Sequence, residues 1–124
     1  LEASWARHQR CHEALVAGLE KLGLELLVEK SIRLPQLNTV KVPAGVDEAA
    51  IRKFLLEDFG IEIGAGLGSL SGKVWRIGLM GQSASPRHIT LLLSALEEGL
   101  SHMQHPFPKG EALSAAHAVL NQGQ

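Results

Sequence analysis

A glycine-rich loop that runs into an apolar stretch with one arginine constrains this chain more than any other part of its sequence. Residues 64–72 are rich in glycine, which lets a backbone pass close to a neighbouring element or a ligand. Residues 73–79 are mostly apolar, which predicts a largely buried strand. Because a lone guanidinium is costly to bury, Arg76 in the middle of that strand needs a partner.

Strand side chains alternate between two faces, and this alternation predicts which way Arg76 points. Trp75 and Ile77 share a large apolar face that we expect to meet the helices, whereas Arg76 and Gly78 share the opposite face. Two partners for Arg76 then remain open. One is a carboxylate of the same chain such as Glu62, since buried charges are often structural. The other is an anionic ligand, because the planar guanidinium matches the two oxygens of a carboxylate.

The order of elements predicts an α+β fold, with a small, mainly antiparallel sheet and helices packed on one of its faces. Gly23 and Gly60 are placed to end helices, and Ser85-Pro86 is a typical helix start. The predicted elements are a helix at 1–22, strands at 24–28 and 38–42, a helix at 47–59, strands at 61–63 and 73–79, a helix from 85 to about 105, and a weak terminal helix at 111–120.

Composition indicates a globular chain and excludes several classes of protein. Apolar residues make up 45% of the 124 residues and charged residues 20%. The net charge of −1 argues against a general nucleic-acid binder, and no apolar run approaches the ~20 residues that span a bilayer. Cys11 is the one cysteine, which predicts a reducing, cytoplasmic location. The chain begins at Leu1 without a methionine, so we expect a segment of a longer protein.

Several short motifs occur together along the chain, in a fixed order and spacing. They are Leu1-Glu2-Ala3-Ser4-Trp5 with Arg7-His8, Leu34-Pro35, Val40-Lys41-Val42-Pro43-Ala44-Gly45 with Asp47, Phe59-Gly60-Ile61-Glu62-Ile63, Gly66-Leu67-Gly68, Ser71-Gly72-Lys73-Val74 and Trp75-Arg76-Ile77-Gly78-Leu79-Met80-Gly81. Together they resemble the small domain of class V, pyridoxal-phosphate-dependent aminotransferases, in particular the alanine–glyoxylate (serine–pyruvate) type.

The resemblance implies a homodimeric enzyme of aspartate-aminotransferase fold that moves an amino group from alanine or serine to glyoxylate or pyruvate. It assigns residues 1–106 to the C-terminal small domain and leaves 107–124 as a linker and weakly helical tail. The large domain, which carries the cofactor lysine, is absent, so we expect no catalytic and no cofactor-binding residue in this segment. Arg76 matches the arginine that binds the α-carboxylate of the substrate in this family.

Some features depart from the resemblance or suggest other readings. Trp75 is bulkier than the usual aliphatic residue before the arginine, and the turn at 82–86 is unlike that of the family. An aminoethylphosphonate transaminase or a related lyase therefore remains open within the class. A stand-alone α+β binding or dimerisation module without activity is the alternative from a different class.

His8 and His12 have a spacing that can hold a metal, but without a third ligand we predict no metal site.

Overall fold

The computed structural model describes residues 2–26, 37–66, 68, 71–78 and 85–121, which form helices and a small antiparallel sheet. This architecture confirms the predicted α+β class. In the described residues no helix is both long and apolar enough to cross a membrane. The elements are α1 (Glu2–Lys21), β1 (Leu37–Lys41), α2 (Glu48–Phe59), β2 (Gly64–Ala65), β3 (Val74–Gly78), α3 (Pro86–His102) and α4 (Glu111–Leu120).

The strand that carries the arginine is the middle strand of the sheet. The strand order is β1-β3-β2, and β3 pairs antiparallel with both neighbours. Outside β1, Leu26 forms a single antiparallel bridge to Val40. The predicted strand at 24–28 is therefore present as this one bridge, and its residues 27 and 28 lie outside the described part of the chain.

The short strand predicted at 61–63 is wrong, because the chain pairs with β3 two residues later, in β2. Gly60 ends α2 in the left-handed conformation with φ 68°, and the N–H of Ile61 donates to the carbonyl of Leu55 at 3.0 Å. The backbone N–H groups of Gly60 and Ile61, the first two after the helix, are thus both used by the helix end. Ile61 and Ile63 instead bury their side chains in the core, which produces the apolar pattern that resembles a strand.

One face of β3 closes the hydrophobic core. Trp75 and Ile77 are 0% and 1% exposed and contact the apolar sides of the helices. The indole Nε1 of Trp75 donates to the backbone carbonyl of Glu48 at 3.3 Å, which ties β3 to the start of α2. A buried indole needs such an acceptor. The largest fully buried side chains are Leu15, Leu19, Leu22, Ile51, Leu55, Trp75, Ile77, Ile89, Leu92, Leu93 and Leu96.

The terminal helix α4, predicted as weak, packs against α1 and α3. Its buried residues Ala112, Ala116 and Leu120 belong to the same core as the sheet. The backbones approach closely where α1 has Gly18, since a Cβ there would lie 3.2 Å from the carbonyl oxygen of Ala112. Small side chains give a weak hydrophobic pattern in the sequence but allow this close packing. The division into 1–106 and 107–124 stays a prediction.

The start of α2 offers a test of helix capping. Asp47 is extended, with ψ 109°, and its carboxylate accepts from the N–H of Ala50 at 3.1 Å. We expect Asp47→Ala to lower the free energy of unfolding by about 1 kcal/mol, because a backbone donor loses its acceptor. Urea unfolding followed by circular dichroism measures the change. Asp58→Ala is the control, since Asp58 is an exposed carboxylate in the last turn of the same helix. Its removal should be neutral or slightly stabilising. Equal losses for both variants would contradict the capping role.

His88, in the first turn of α3, gives the fold a pH dependence. Burial lowers the pKa of His88 below the ordinary 6.5, because the charged imidazolium is less well solvated there. As the pH falls below about 6.5, the unfolded chain takes up this proton before the folded chain does, so the stability falls. Unfolding curves at pH 8 and pH 5.5 should show a smaller acid loss for His88→Gln than for the unaltered chain. An identical loss in both proteins would rule out His88 as a contributor.

Candidate functional site

The candidate site lies on the face of the sheet opposite the core, where the alternation along β3 places Arg76. Arg76 is directly opposite Thr39 of β1 and Gly64 of β2, so these three residues form one row across the sheet. Arg76 is half-buried, whereas its neighbours Trp75 and Ile77 are fully inside the core. The predicted orientation of Arg76, away from the helices, is therefore confirmed.

The backbone of β2 holds one end of the guanidinium. The Nε–H of Arg76 donates to the carbonyl oxygen of Ala65, with an N–O distance of 2.7 Å. The side chain passes over Gly64, where an added Cβ would lie 3.2 Å from Nη2 and 3.4 Å from Nε. The guanidinium thus lies across β2 at a position where the chain has no side chain to obstruct it.

Within the described residues, Arg76 has no carboxylate within the 4.0 Å of an ion pair. Glu62, the partner considered from the sequence, is exposed and forms none of the ion pairs in that part of the chain. The contact with Ala65 uses Nε alone, so Nη1 and Nη2 have no hydrogen-bond acceptor among the described residues. A half-buried guanidinium whose terminal nitrogens the described residues leave open is suited to bind a carboxylate.

Two further candidate residues of α1, Cys11 and His12, are packed in the interior and lie apart from Arg76. Cys11 is 1% exposed, and burial raises the pKa of its thiol although Arg7 and Arg10 act in the opposite direction. His12 is also buried, and the side chain of His8 lies outside the described part of the structure. Over the described ranges, no group of three or more His, Cys, Asp and Glu side chains is placed to hold a metal ion.

The lysines test whether this segment could itself hold pyridoxal phosphate. A lysine that bonds the cofactor is normally desolvated, which keeps part of it uncharged and nucleophilic. Lys21 and Lys41 have side chains 52% and 50% exposed and form surface ion pairs with Glu111 and Glu25. Three further lysines, Lys53, Lys73 and Lys109, are exposed, and Lys30 lies outside the described residues. The described lysines do not fit a cofactor site, so the chemistry that the described residues can supply is the binding of an anion.

Sequence reasoning identified Arg76 but missed what supports it. The acceptor at Ala65 is a backbone carbonyl and has no signature in the sequence. The row of Thr39, Arg76 and Gly64 depends on the strand register, which the sequence does not specify for such short strands. The sequence held a signal only for a different contact: the buried indole of Trp75 requires a nearby acceptor, which is the carbonyl of Glu48.

The comparisons with known proteins agree with the resemblance drawn from the motifs. No family model matches the chain. Over 116 residues, or 94% of its length, the chain is 39% identical to the (S)-ureidoglycine–glyoxylate transaminase of Bacillus subtilis, of which it covers 28%. It is 47% identical over 103 residues to the alanine–glyoxylate aminotransferase of Callithrix jacchus, which corresponds to 82% of the chain and 25% of that protein.

A solved structure has the same fold as the chain. The crystal structure of the ureidoglycine–glyoxylate aminotransferase from Bacillus subtilis superposes with a TM-score of 0.93 and 38% sequence identity. The superposition covers 97% of this chain and 31% of that structure, so the chain spans less than a third of the length of this relative. By sequence the chain is homologous to a segment of the ureidoglycine–glyoxylate and alanine–glyoxylate aminotransferases, and by fold it matches the class V aminotransferases.

Proposed function

We propose that this chain is the substrate-carboxylate-binding segment of a pyridoxal-phosphate-dependent aminotransferase of the alanine–glyoxylate type. The observation that carries the proposal is the half-buried guanidinium of Arg76. Its Nε is bonded to Ala65, and its two terminal nitrogens have no acceptor among the described residues. The names of the relatives support the reaction class, since they transfer amino groups to glyoxylate.

Arg76 would bind and orient the substrate. Two parallel N–H to oxygen bonds hold a carboxylate in one plane and fix its direction. With the carboxylate fixed, rotation about the bond to the α-carbon is the main freedom left to a small amino acid. Restricting that freedom lowers the entropic part of the barrier to reaction at the α-carbon. The role of this chain is thus positioning the substrate.

Pyridoxal phosphate would supply the electron sink for the reaction and would be held by the remainder of the protein. The exposed lysines of this segment support that division. An assembly of two copies and a cytoplasmic location belong to the same proposal.

One arginine can serve both partners of an amino-group transfer. The proposed donors, alanine and serine, and the proposed acceptors, glyoxylate and pyruvate, all carry a carboxylate next to the reacting carbon. The same contact to Arg76 therefore aligns the amino acid in one half of the reaction and the 2-oxo acid in the other. The substrates differ only beyond that carbon, so residues other than Arg76 would have to distinguish their side chains.

A stand-alone α+β module without activity is the second candidate, and the lengths of the relatives favour the transaminase over it. The relatives extend well beyond the matched region, since the chain covers 28% and 25% of them. Reading the gene upstream of Leu1 distinguishes the candidates directly. A preceding large domain with a cofactor lysine supports the transaminase, and a start codon immediately before Leu1 would contradict it.

Arg76→Ala tests the carboxylate contact in the full-length protein. A charge-assisted hydrogen bond contributes about 1.5–3 kcal/mol, so the KM for the amino acid should rise by roughly 10- to 150-fold. Arg76→Lys should recover part of the loss only, because an ammonium keeps the charge but not the planar fork. Bound pyridoxal phosphate, measured by absorbance, should remain at the unaltered level.

Arg87→Ala is the matched control for Arg76→Ala. Arg87 is an exposed arginine at the start of α3, so its removal subtracts the same charge from the chain without touching the sheet. Its KM should stay within twofold of the unaltered protein, as is usual for surface changes. An unchanged KM in Arg76→Ala would refute the proposed role.

The isolated 124-residue chain tests whether the cofactor is held by the remainder of the protein. We expect it neither to retain pyridoxal phosphate during gel filtration nor to transfer an amino group from alanine to glyoxylate. The physical reason is that its described lysines are exposed to solvent, whereas a lysine that bonds the cofactor is normally desolvated. Transamination by this chain alone would contradict the proposal.

A further inference from the structure

We infer that Gly64 and Ala65 of β2 act as a positioning element for Arg76 and make it bind carboxylates through Nη1 and Nη2. We refer to these two residues as the guanidinium seat. The inference rests on the proposed function, because it concerns how the proposed carboxylate contact is oriented. It assigns to Gly64 a role that requires no contact with the substrate, because Gly64 acts through Arg76.

The carbonyl of Ala65 decides which edge of the guanidinium is available. An arginine can bind a carboxylate side-on, through Nε and one terminal nitrogen, or end-on, through both terminal nitrogens. The Nε–H of Arg76 is already donated to Ala65 at 2.7 Å, which is an ordinary to short N–O distance. The side-on edge is therefore occupied, and the end-on edge is left for the ligand.

Gly64 leaves the space that this geometry needs. Arg76 lies opposite Gly64 in the sheet register, and both are on the outer face. A Cβ at position 64 would lie 3.2 Å from Nη2, 3.4 Å from the Cβ of Arg76 and 3.4 Å from Nε. A branched side chain would extend further into the same space, so the guanidinium would have to rotate away from Ala65.

Strand β1, on the other side of Arg76, does not constrain the orientation of the guanidinium in the same way. Thr39 is opposite Arg76 on β1 and is half-exposed on the same face. No hydrogen bond joins Thr39 to Arg76 within the described residues, whereas β2 provides both the acceptor and the open space. The orientation of Arg76 is thus determined from the β2 side of the sheet.

Substitutions of graded size at position 64 test the seat in the full-length holoenzyme. A displaced rotamer costs about 0.5–1.5 kcal/mol, so Gly64→Val should raise the KM for alanine by roughly 2- to 12-fold. Gly64→Ala should have a smaller effect in the same direction. The inhibition constant of propionate, a carboxylate without an amino group, should rise in parallel, while kcat and bound cofactor stay within twofold.

Gly99→Ala is the matched control. A Cβ at Gly99 would also be tight, at 3.0 Å from Cδ1 of Ile51 and 3.3 Å from Phe54, but these contacts lie between α2 and α3. Gly99→Ala should therefore alter thermal stability without changing the KM for alanine or the inhibition by propionate. A change in either constant would indicate that loosened packing is enough to explain the effect at position 64, and would overturn the inference.

Combining the substitutions separates failure of the seat from failure of the proposed function. In an Arg76→Ala background, Gly64→Val should have no further effect on KM, because the group that it displaces is gone. An equal effect in both backgrounds would overturn the seat. If Arg76→Ala raises KM and neither Gly64 variant does, the seat is wrong and the proposed function stands. If Arg76→Ala leaves KM unchanged, both are wrong. Should Gly64→Val fail to fold, the same criteria are applied to Gly64→Ala.

Discussion

The alternation of side chains along β3 is the constraint on which both the core and the candidate site depend. Trp75 and Ile77 point inward and are almost fully excluded from solvent, while Arg76 between them points outward. Pairing on both sides holds β3 in the middle of the sheet, so it cannot rotate without breaking the two ladders. The packing that stabilises the fold therefore also fixes the direction of the arginine.

The environment of Arg76 combines a restrained side chain with terminal nitrogens for which the described residues supply no acceptor. The hydrogen bond to Ala65 restrains the long side chain and removes part of the conformational entropy that a ligand would otherwise have to overcome. Half-burial weakens the competition from water, since a cation is less well solvated in a partly apolar environment. Both effects favour an incoming carboxylate over bulk solvent.

Comparing individual helices and strands with their predictions shows which structures the sequence could specify. The helix signals at Gly60 and Ser85-Pro86 were reliable because each depends on local backbone geometry. The strand at 61–63 was predicted wrongly because Ile61 and Ile63 are apolar for core packing, while pairing begins at Gly64. The packing of α4 was underestimated because alanine and glycine contribute little to a hydrophobic pattern. Their small size matters only once a second helix lies against them.

The sequence by itself determined the α+β class and the arginine on the outer face of an apolar strand, because these follow from periodicities of two and 3.6 residues. It also determined the helix ends, because these depend on local glycine, serine and proline signals. Its motifs also indicated the class V aminotransferases, to which the comparisons find the chain similar. Only the tertiary structure decided that Thr39, Arg76 and Gly64 share one row and that Ala65 accepts the Nε–H. These contacts join residues distant in sequence through strand register and a backbone carbonyl. Neither is encoded by the identity of any single residue.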